Sequence, residues 1–412
     1  MSPPAFDEVA LADFARSKLR IAVFNRTFSP TGGGAERYSI ALVEQLAERH
    51  EIHVFAQQIN HDWPGVSYHR VSAPLVRPRW LNQLWFATAT WWATRRGYDV
   101  VHSHENTWHG DVQTLHVLPV KYNLFHALHG WRRILRWIKV LTSPRLLTYL
   151  FLERARCAAR SSRRVVATSE SLRAIIATSY PAIAPILTVI TPGVTMPKEH
   201  TTPARRQAAR LSLGLPLDGY CLLFVGNDYR KKGLATLVMA LAQLPVEVML
   251  AVVGNPVHIP AFRAQIAALQ LDTRVFFLGS LPDMAPAYEA ADSLVHPTLE
   301  DTFAMVVLEA MSYGLPVVVS DARYCGIAGL LTNGVNARIL LSPNDATELS
   351  GHIRQIFQAP LVYQALAMGS RIFATHWSWA AIAEQQDRIY RKIAGYSGRN
   401  GPCITPDTNH LL

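Results

Sequence analysis

Two groups of charged residues in the second half of this chain have types and spacings that suit chemistry. Arg230, Lys231 and Lys232 stand in a row between the apolar run YCLLFVGN (220–227) and a helix-like segment opened by Gly233. Three cations at a strand-to-helix turn can neutralise two phosphates; the plainer reading is a solvated basic turn. Further on, HPTLEDTFAMVVLEAMSYGLPVVVS (296–320) sets Glu300, Asp301 and Glu309 in apolar surroundings. Ionised carboxylates are costly to bury unpaired, so these acids either face water or bind something. A carboxylate can accept from both hydroxyls of a vicinal diol: one such group suits a ribose, another the hydroxyls of a sugar. Glu309 has the least polar neighbours, Val306, Val307, Leu308 and Met311. No DxD pair is present to hold magnesium, so a departing diphosphate would depend on protein cations and helix N-termini.

The first half carries weaker signals. In FSPTGGGAERY, Gly32, Gly33 and Gly34 follow a strand-like run and open a helix. Such a turn can bring backbone N–H groups to an anion, or simply be tight. It is not a dinucleotide fingerprint. DVVHSHENTWHGDVQTLHV (99–117) contains His102, His104, His109 and His116. Without a cysteine or carboxylate at ligand spacing, buried core histidines fit better than a metal site, and no metal is expected.

These residues need a scaffold. LRIAVFN (19–25), EIHVFAQ (51–57), DVVHSH (99–104), DVQTLHV (111–117), RRVVATS (163–169) and LTVITPG (187–193) read as strands separated by helical periodicity. A polar stretch punctuated by proline and glycine follows (195–219). The alternation then restarts at YCLLFVGN, VEVMLAVVGN (246–255), RVFFLG (274–279), SLVHPT (293–298) and LPVVVS (315–320). This rhythm predicts α/β architecture: two doubly wound parallel sheets, with ligands in a cleft at the carboxyl ends of their strands. The expected division is an N-terminal extension (1–18), a first domain (19–195), a second (196–375), a final helix (376–395) and a loose tail (396–412).

A chain of 412 residues, 50% hydrophobic and 17% charged, can bury large cores. Cys157, Cys221, Cys325 and Cys403 form no CxxC, which fits a reducing cytosol. The N-terminus lacks the apolar core of a secretory signal, and no uncharged apolar stretch is long enough to cross a membrane. The net charge of +10 is unevenly placed. Residues 121–164 hold eleven Lys or Arg and one acid, Glu153, and eight of the ten tryptophans precede residue 140. HGWRRILRWIKVL (129–141) puts Trp131, Ile134, Leu135 and Ile138 on one helical stripe beside Arg132, Arg133, Arg136 and Lys139. That composition suits an interfacial helix on anionic lipid or a core-packed helix with a basic outer face. No nucleic-acid motif accompanies it, and no nucleic-acid partner is expected.

PTLEDTFAMVVLEAMSYGLPVVVS resembles the acid-x7-acid signature of retaining glycosyltransferase family 4. VGNDYRKKG is similar to that family's donor-phosphate loop, TGGGAERY to its N-domain glycine loop and TPGV (191–194) to its pre-linker turn. The resemblance spans about residues 19–393 and includes the lipopolysaccharide-core glucosyltransferase I type. It implies two Rossmann-like domains facing a cleft, the GT-B fold. Carried over by position, Lys231 and Lys232 hold the donor diphosphate, in a loop with Gly226 and Arg230. Glu309 binds the donor ribose and Asp301 the transferred sugar, with Glu300 as the alternative. In the N-domain, Gly33 and Gly34 meet substrate. Asp111 lies near the reaction centre, to take or orient the acceptor proton, with His104 and His116 behind it. Two departures stand out: Asp301 replaces the usual glutamate, and Ala304 a common glycine.

The expected protein is cytoplasmic, peripheral at the inner face of the cell membrane. It moves a hexose from a nucleotide diphosphate sugar (UDP-glucose first) to a glycan or glycolipid acceptor, in lipopolysaccharide or cell-surface polysaccharide synthesis. Configuration is retained, and no metal or other cofactor is needed. The alternatives are a sugar-nucleotide epimerase or hydrolase of the same architecture, or a non-catalytic basic membrane-binding module.

Overall fold

The computed structural model describes residues 17–30, 32–75 and 77–397. The expected N-terminal extension and tail lie almost wholly outside the described residues. The chain forms two compact units. Unit 1 comprises the described residues up to 168, then 173–190 and those from 382 onward; unit 2 comprises 169–172 and 191–381. Apart from the short excursion at 169–172, the chain passes to unit 2 after 190 rather than at the expected 195, and returns after 381 rather than 375. Local packing explains both. Val194 N donates to Trp377 O at 2.7 Å, and a Cβ on Gly193 would lie 2.9 Å from Trp379 N. The TPGV turn is thereby fastened to residues 377–379.

Unit 1 holds a seven-stranded parallel sheet in the order β5-β3-β1-β6-β7-β8-β9. Its strands are β1 (Arg20–Phe24), β3 (Glu51–Ala56), β5 (Val66–Arg70), β6 (Val100–Ser103), β7 (Val112–Leu115), β8 (Arg164–Ala167) and β9 (Leu187–Val189). A two-residue pair, β2 (Thr27–Phe28) and β4 (Gln58–Ile59), lies beyond the ends of β1 and β3. The final helix, Trp379–Ser397, is tied to this sheet from Ile382 on. Asp387 Oδ1 meets His50 Nε2 at 2.8 Å, and the Tyr390 hydroxyl meets His102 Nδ1 at 2.5 Å.

Unit 2 holds a six-stranded parallel sheet in the order β12-β11-β10-β13-β14-β15. The strands are β10 (Tyr220–Val225), β11 (Val248–Val253), β12 (Val275–Gly279), β13 (Ser293–His296), β14 (Val317–Ser320) and β15 (Arg338–Leu340). Continuous apolar runs make such strands because a parallel sheet is covered on both faces. In β10, Cys221, Leu223 and Val225 enter one buried cluster and Leu222 and Phe224 the other.

Chain order reverses direction across each sheet at one place: between β1 and β6 in unit 1, and between β10 and β13 in unit 2. Loops leaving the carboxyl ends of two such strands diverge and leave a crevice, the usual ligand position in an open α/β sheet.

Candidate functional site

In unit 2 both groups of charge arrive at that crevice. Residues 226–233 leave β10 and lead into the helix Leu234–Leu241. Residues 297–304 leave β13 and lead into the helix Met305–Ser312. The two loops touch. Lys231 O accepts from Leu299 N at 2.8 Å and from the Thr298 hydroxyl at 3.2 Å. Gly233 makes the approach possible: its φ is +79°, and a Cβ there would lie 1.9 Å from Pro297 O. Gly226 is also constrained, since its Cβ would lie 2.7 Å from Lys232 Cγ.

Asp301 is the hub. Its Oδ1 accepts from Ala304 N at 2.9 Å and Phe303 N at 3.3 Å, closing the turn that leads into the following helix. Its Oδ2 meets Lys232 Nζ at 2.6 Å and His296 Nε2 at 3.1 Å. Burial alone would raise its pKa. The His296 hydrogen bond and the Lys232 charge outweigh burial and hold the carboxyl well below the usual carboxylate range. Burial lowers the pKa of His296, against the pull of Asp301; a neutral imidazole donating Nε2–H to the carboxylate satisfies both. Lys232 Nζ also donates to Glu300 O at 3.1 Å. Glu300 itself is exposed and pairs with Lys231 at 3.1 Å. Ala304, which directly precedes that helix, has φ +71°, the left-handed region that favours glycine. Glu309 sits mid-helix and accepts from the Tyr288 hydroxyl at 2.6 Å. Arg230 is exposed on the same loop as the lysines. Sequence reasoning gives no sign of His296 or Tyr288. His296 ends an apolar strand, and Tyr288 lies on another helix, Ala285–Ala290.

In unit 1, the loops after β1 and β6 are bound together: Arg26 N and Nε each donate to Glu105 at 3.1 Å. Gly33 caps the helix Gly34–Leu46 and Gly34 is its first residue. The steric demand falls on Gly32, whose Cβ would lie 2.8 Å from Glu36 Cβ. His104 and His116 follow the carboxyl ends of β6 and β7, with His104 Nδ1 2.9 Å from His116 Nε2. His102 lies beneath them, between Tyr390 and Thr114. Burial depresses all three pKa values: those of His102 and His116 to about 3, and that of His104 well below the usual value. They are neutral at physiological pH. Among the described residues no His/Cys/Asp/Glu group has the arrangement of a metal site.

Asp111 is placed differently from expectation. It stands at the amino end of β7, where its Oδ2 accepts Val101 N at 2.9 Å and its O accepts Arg164 N at 2.8 Å. That is the edge of the sheet opposite the crevice. Its carboxylate has a structural task, so we do not assign it the acceptor proton.

The helix Gly130–Leu141 turns its apolar stripe outward. Trp131, Ile134, Leu135, Ile138 and Leu141 are between 52 and 65% exposed, and Val140 alone is buried. Of the two readings open in the sequence, core packing of this stripe is excluded within unit 1.

Comparison with known proteins accounts for both halves. Residues 32–196 match the family model for Glycosyltransferase Family 4, and residues 219–359 match that for Glycosyl transferases group 1. The chain belongs to the family-4 glycosyltransferases. Curated relatives include D-inositol 3-phosphate glycosyltransferase 1 of Catenulispora acidiphila, 31% identical over 58% of this chain and 60% of that protein. The D-inositol 3-phosphate glycosyltransferase of Thermobispora bispora is 28% identical over half of each. The chain thus spans about half to three fifths of these two relatives; that of Streptosporangium roseum matches over 90% of this chain and 92% of its own length, at 26% identity. Among solved structures, WaaG, a glycosyltransferase involved in lipopolysaccharide biosynthesis, aligns with TM-score 0.76 and 21% identity over 90% of this chain and 99% of its own. Anabaena Alr3699/HepE, in complex with UDP and glucose, aligns with TM-score 0.70 and 20% identity over 90% and 98%. Identities this low show the fold alone: it is that of GT-B glycosyltransferases, built from two Rossmann-like domains.

Proposed function

We propose that this glycosyltransferase moves a hexose from a nucleotide diphosphate sugar to a glycan or glycolipid acceptor, with retention of configuration. The meeting of Lys231, Lys232, Glu300 and Asp301 at the β10/β13 crevice, with Glu309 on the adjoining helix, carries the reading. The lysines neutralise the departing diphosphate and Glu309 grips the ribose. Asp301 or Glu300 receives the sugar hydroxyls, Asp301 by exchanging Lys232 for them when phosphate attracts the lysine. Such a site needs no metal, because the protein's own cations meet the developing charge. UDP-glucose is the first donor to try, supported by the HepE structure with UDP and glucose. The WaaG likeness supports a place in lipopolysaccharide or surface-polysaccharide synthesis, and the inositol phosphate relatives support a phosphorylated acceptor.

The reading extends to a cytoplasmic protein lying on the inner face of the cell membrane. No helix among the described residues is long and apolar enough to cross a membrane. The outward stripe of the helix Gly130–Leu141, flanked by Arg132, Arg133, Arg136 and Lys139, suits an anionic lipid surface.

The test is transfer from a panel of nucleotide sugars, with the product anomer read by NMR. Glu309→Ala and Lys232→Ala should abolish transfer while circular dichroism shows both variants folded; Lys232→Ala should also unfold at a lower temperature, because Asp301 Oδ2 loses the cation it meets at 2.6 Å. Full activity in both variants would defeat the site assignment. Sugar conversion without any acceptor would favour an epimerase or hydrolase instead.

A further inference from the structure

His296 is the last residue of β13 and is fully buried, in register with Val319 of β14. The strand SLVH is buried along its whole length, and a leucine at its end would continue the apolar run. The imidazole is the costlier choice. Its Nε2 meets Asp301 Oδ2 at 3.1 Å, while its Nδ1 is buried with no hydrogen-bond partner among the described residues. A buried polar atom left unpaired lowers stability and calls for a reason.

That reason lies in the lone pairs of Asp301. An ionised carboxylate offers about four acceptor positions. All are taken: Oδ1 by Phe303 N and Ala304 N, Oδ2 by Lys232 Nζ and His296 Nε2. The backbone of Asp301 is fixed as well, its N donating to Tyr324 O at 2.7 Å and its O accepting from Gly326 N at 3.0 Å. Of the four partners, Lys232 is the one that can leave. Its flexible side chain is partly exposed and a diphosphate attracts it, whereas the two amides belong to the turn and the imidazole is enclosed. With Lys232 turned to phosphate, one position on Oδ2 opens. The His296 N–H is then the side-chain donor that keeps the carboxylate charged and aimed.

We infer that His296 is a positioning residue: it holds Oδ2 of Asp301 so that the carboxylate accepts a single hydroxyl of the donor sugar, at the place Lys232 vacates. The inference rests on the glycosyltransferase reading and deepens it, because it says how much of the sugar this acid reads. A carboxylate with both oxygens free would take a vicinal diol; this one has room for one hydroxyl.

Titration calorimetry on the full chain tests it with UDP, UDP-glucose and the monodeoxy UDP-glucoses; the same set on GDP or ADP is used if the wild type binds that diphosphate instead. His296→Leu should weaken UDP-glucose about tenfold or more and leave UDP within about twofold of wild type. His296→Gln, whose amide N–H reaches the Nε2 position, should recover most of the loss. For one deoxy form, the cost of the missing hydroxyl and the cost of His296→Leu should not add; for the others they should. UDP-glucose bound at wild-type strength by His296→Leu overturns the inference. So does equal weakening of UDP and UDP-glucose, which marks a purely structural role. Additivity at every position shows that His296 does not act through Asp301, and non-additivity at two neighbouring positions shows that Asp301 reads a diol; either result overturns it. Failure of the wild type to bind any of the three diphosphates refutes the donor reading itself. Circular dichroism checks the fold. If His296→Leu does not fold, His296→Asn, polar but too short to reach Oδ2, replaces it under the same criteria.

Discussion

Replacing Asp301 by asparagine separates the two tasks of one side chain. The amide oxygen of the variant could still accept from Phe303 N and Ala304 N, so the turn before the helix survives. The amide nitrogen would then face two donors, Lys232 Nζ and His296 Nε2, where Oδ2 of Asp301 accepts at 2.6 and 3.1 Å. Breaking a buried pair from one side costs about 3–5 kcal/mol. The Lys232 side chain keeps 22% of its surface exposed and can turn to water, so we expect the lower end, about 3 kcal/mol. Linkage gives a similar size: a carboxyl held at pKa 2 when folded adds about 2.6 kcal/mol at neutral pH. Because the folded pKa is depressed, this stability is present in full above the unfolded value of about 3.9. It is lost as pH falls through the folded value. Urea denaturation followed by circular dichroism should show the full gap between wild type and Asp301→Asn at pH 7. By pH 3 the gap should narrow by roughly 1 kcal/mol. Equal stability at pH 7, or a gap that widens in acid, would refute the hub geometry.

Ala304→Gly should be close to neutral: relief of about 1–2 kcal/mol of left-handed strain offsets the buried methyl and the added freedom of glycine. Ala310→Gly, also buried but inside the helix that Ala304 precedes, should lose about 1–2 kcal/mol, and equal losses at both sites would contradict the φ of +71° at Ala304. Unit 1 should weaken in mild acid. Burial holds His102, His109 and His116 at about 3; the unfolded chain therefore takes up their protons first, and stability falls below pH 6.5 by up to about 1.4 kcal/mol per histidine per pH unit. A thermal midpoint that stays flat from pH 7.5 to 5.5 would count against this burial. Ile134→Glu with Ile138→Glu should cut sedimentation with vesicles rich in anionic lipid at least tenfold and leave the far-ultraviolet spectrum unchanged; undiminished sedimentation would move the docking surface elsewhere.

Much of the scaffold is decided by local sequence. The buried central strands are apolar runs, and the turns that carry the lysines and acids are marked by Gly226, Gly233 and the break in hydrophobicity at Glu300 and Asp301. Local composition is enough because a strand covered on both faces must be apolar throughout. In the two main sheets the strands missed, β5 (VSYHR) and β15 (RIL), are edge strands, half-polar or very short, and only the pairing with β3 and β14 defines them; the two-residue pair β2 and β4 was missed for its shortness. The partners of the candidate site's side chains were beyond sequence for a related reason. Lys232 meets Asp301 across 69 residues and Glu309 meets Tyr288 across 21, and such pairings depend on which strands become neighbours. The long-range packing that ties Tyr390 to His102 is of the same kind, whereas the place of Asp111 at the amino end of β7 follows from the strand read at 111–117. The helix Gly130–Leu141 is amphipathic in sequence, but which of its faces meets water depends on what the rest of unit 1 leaves uncovered.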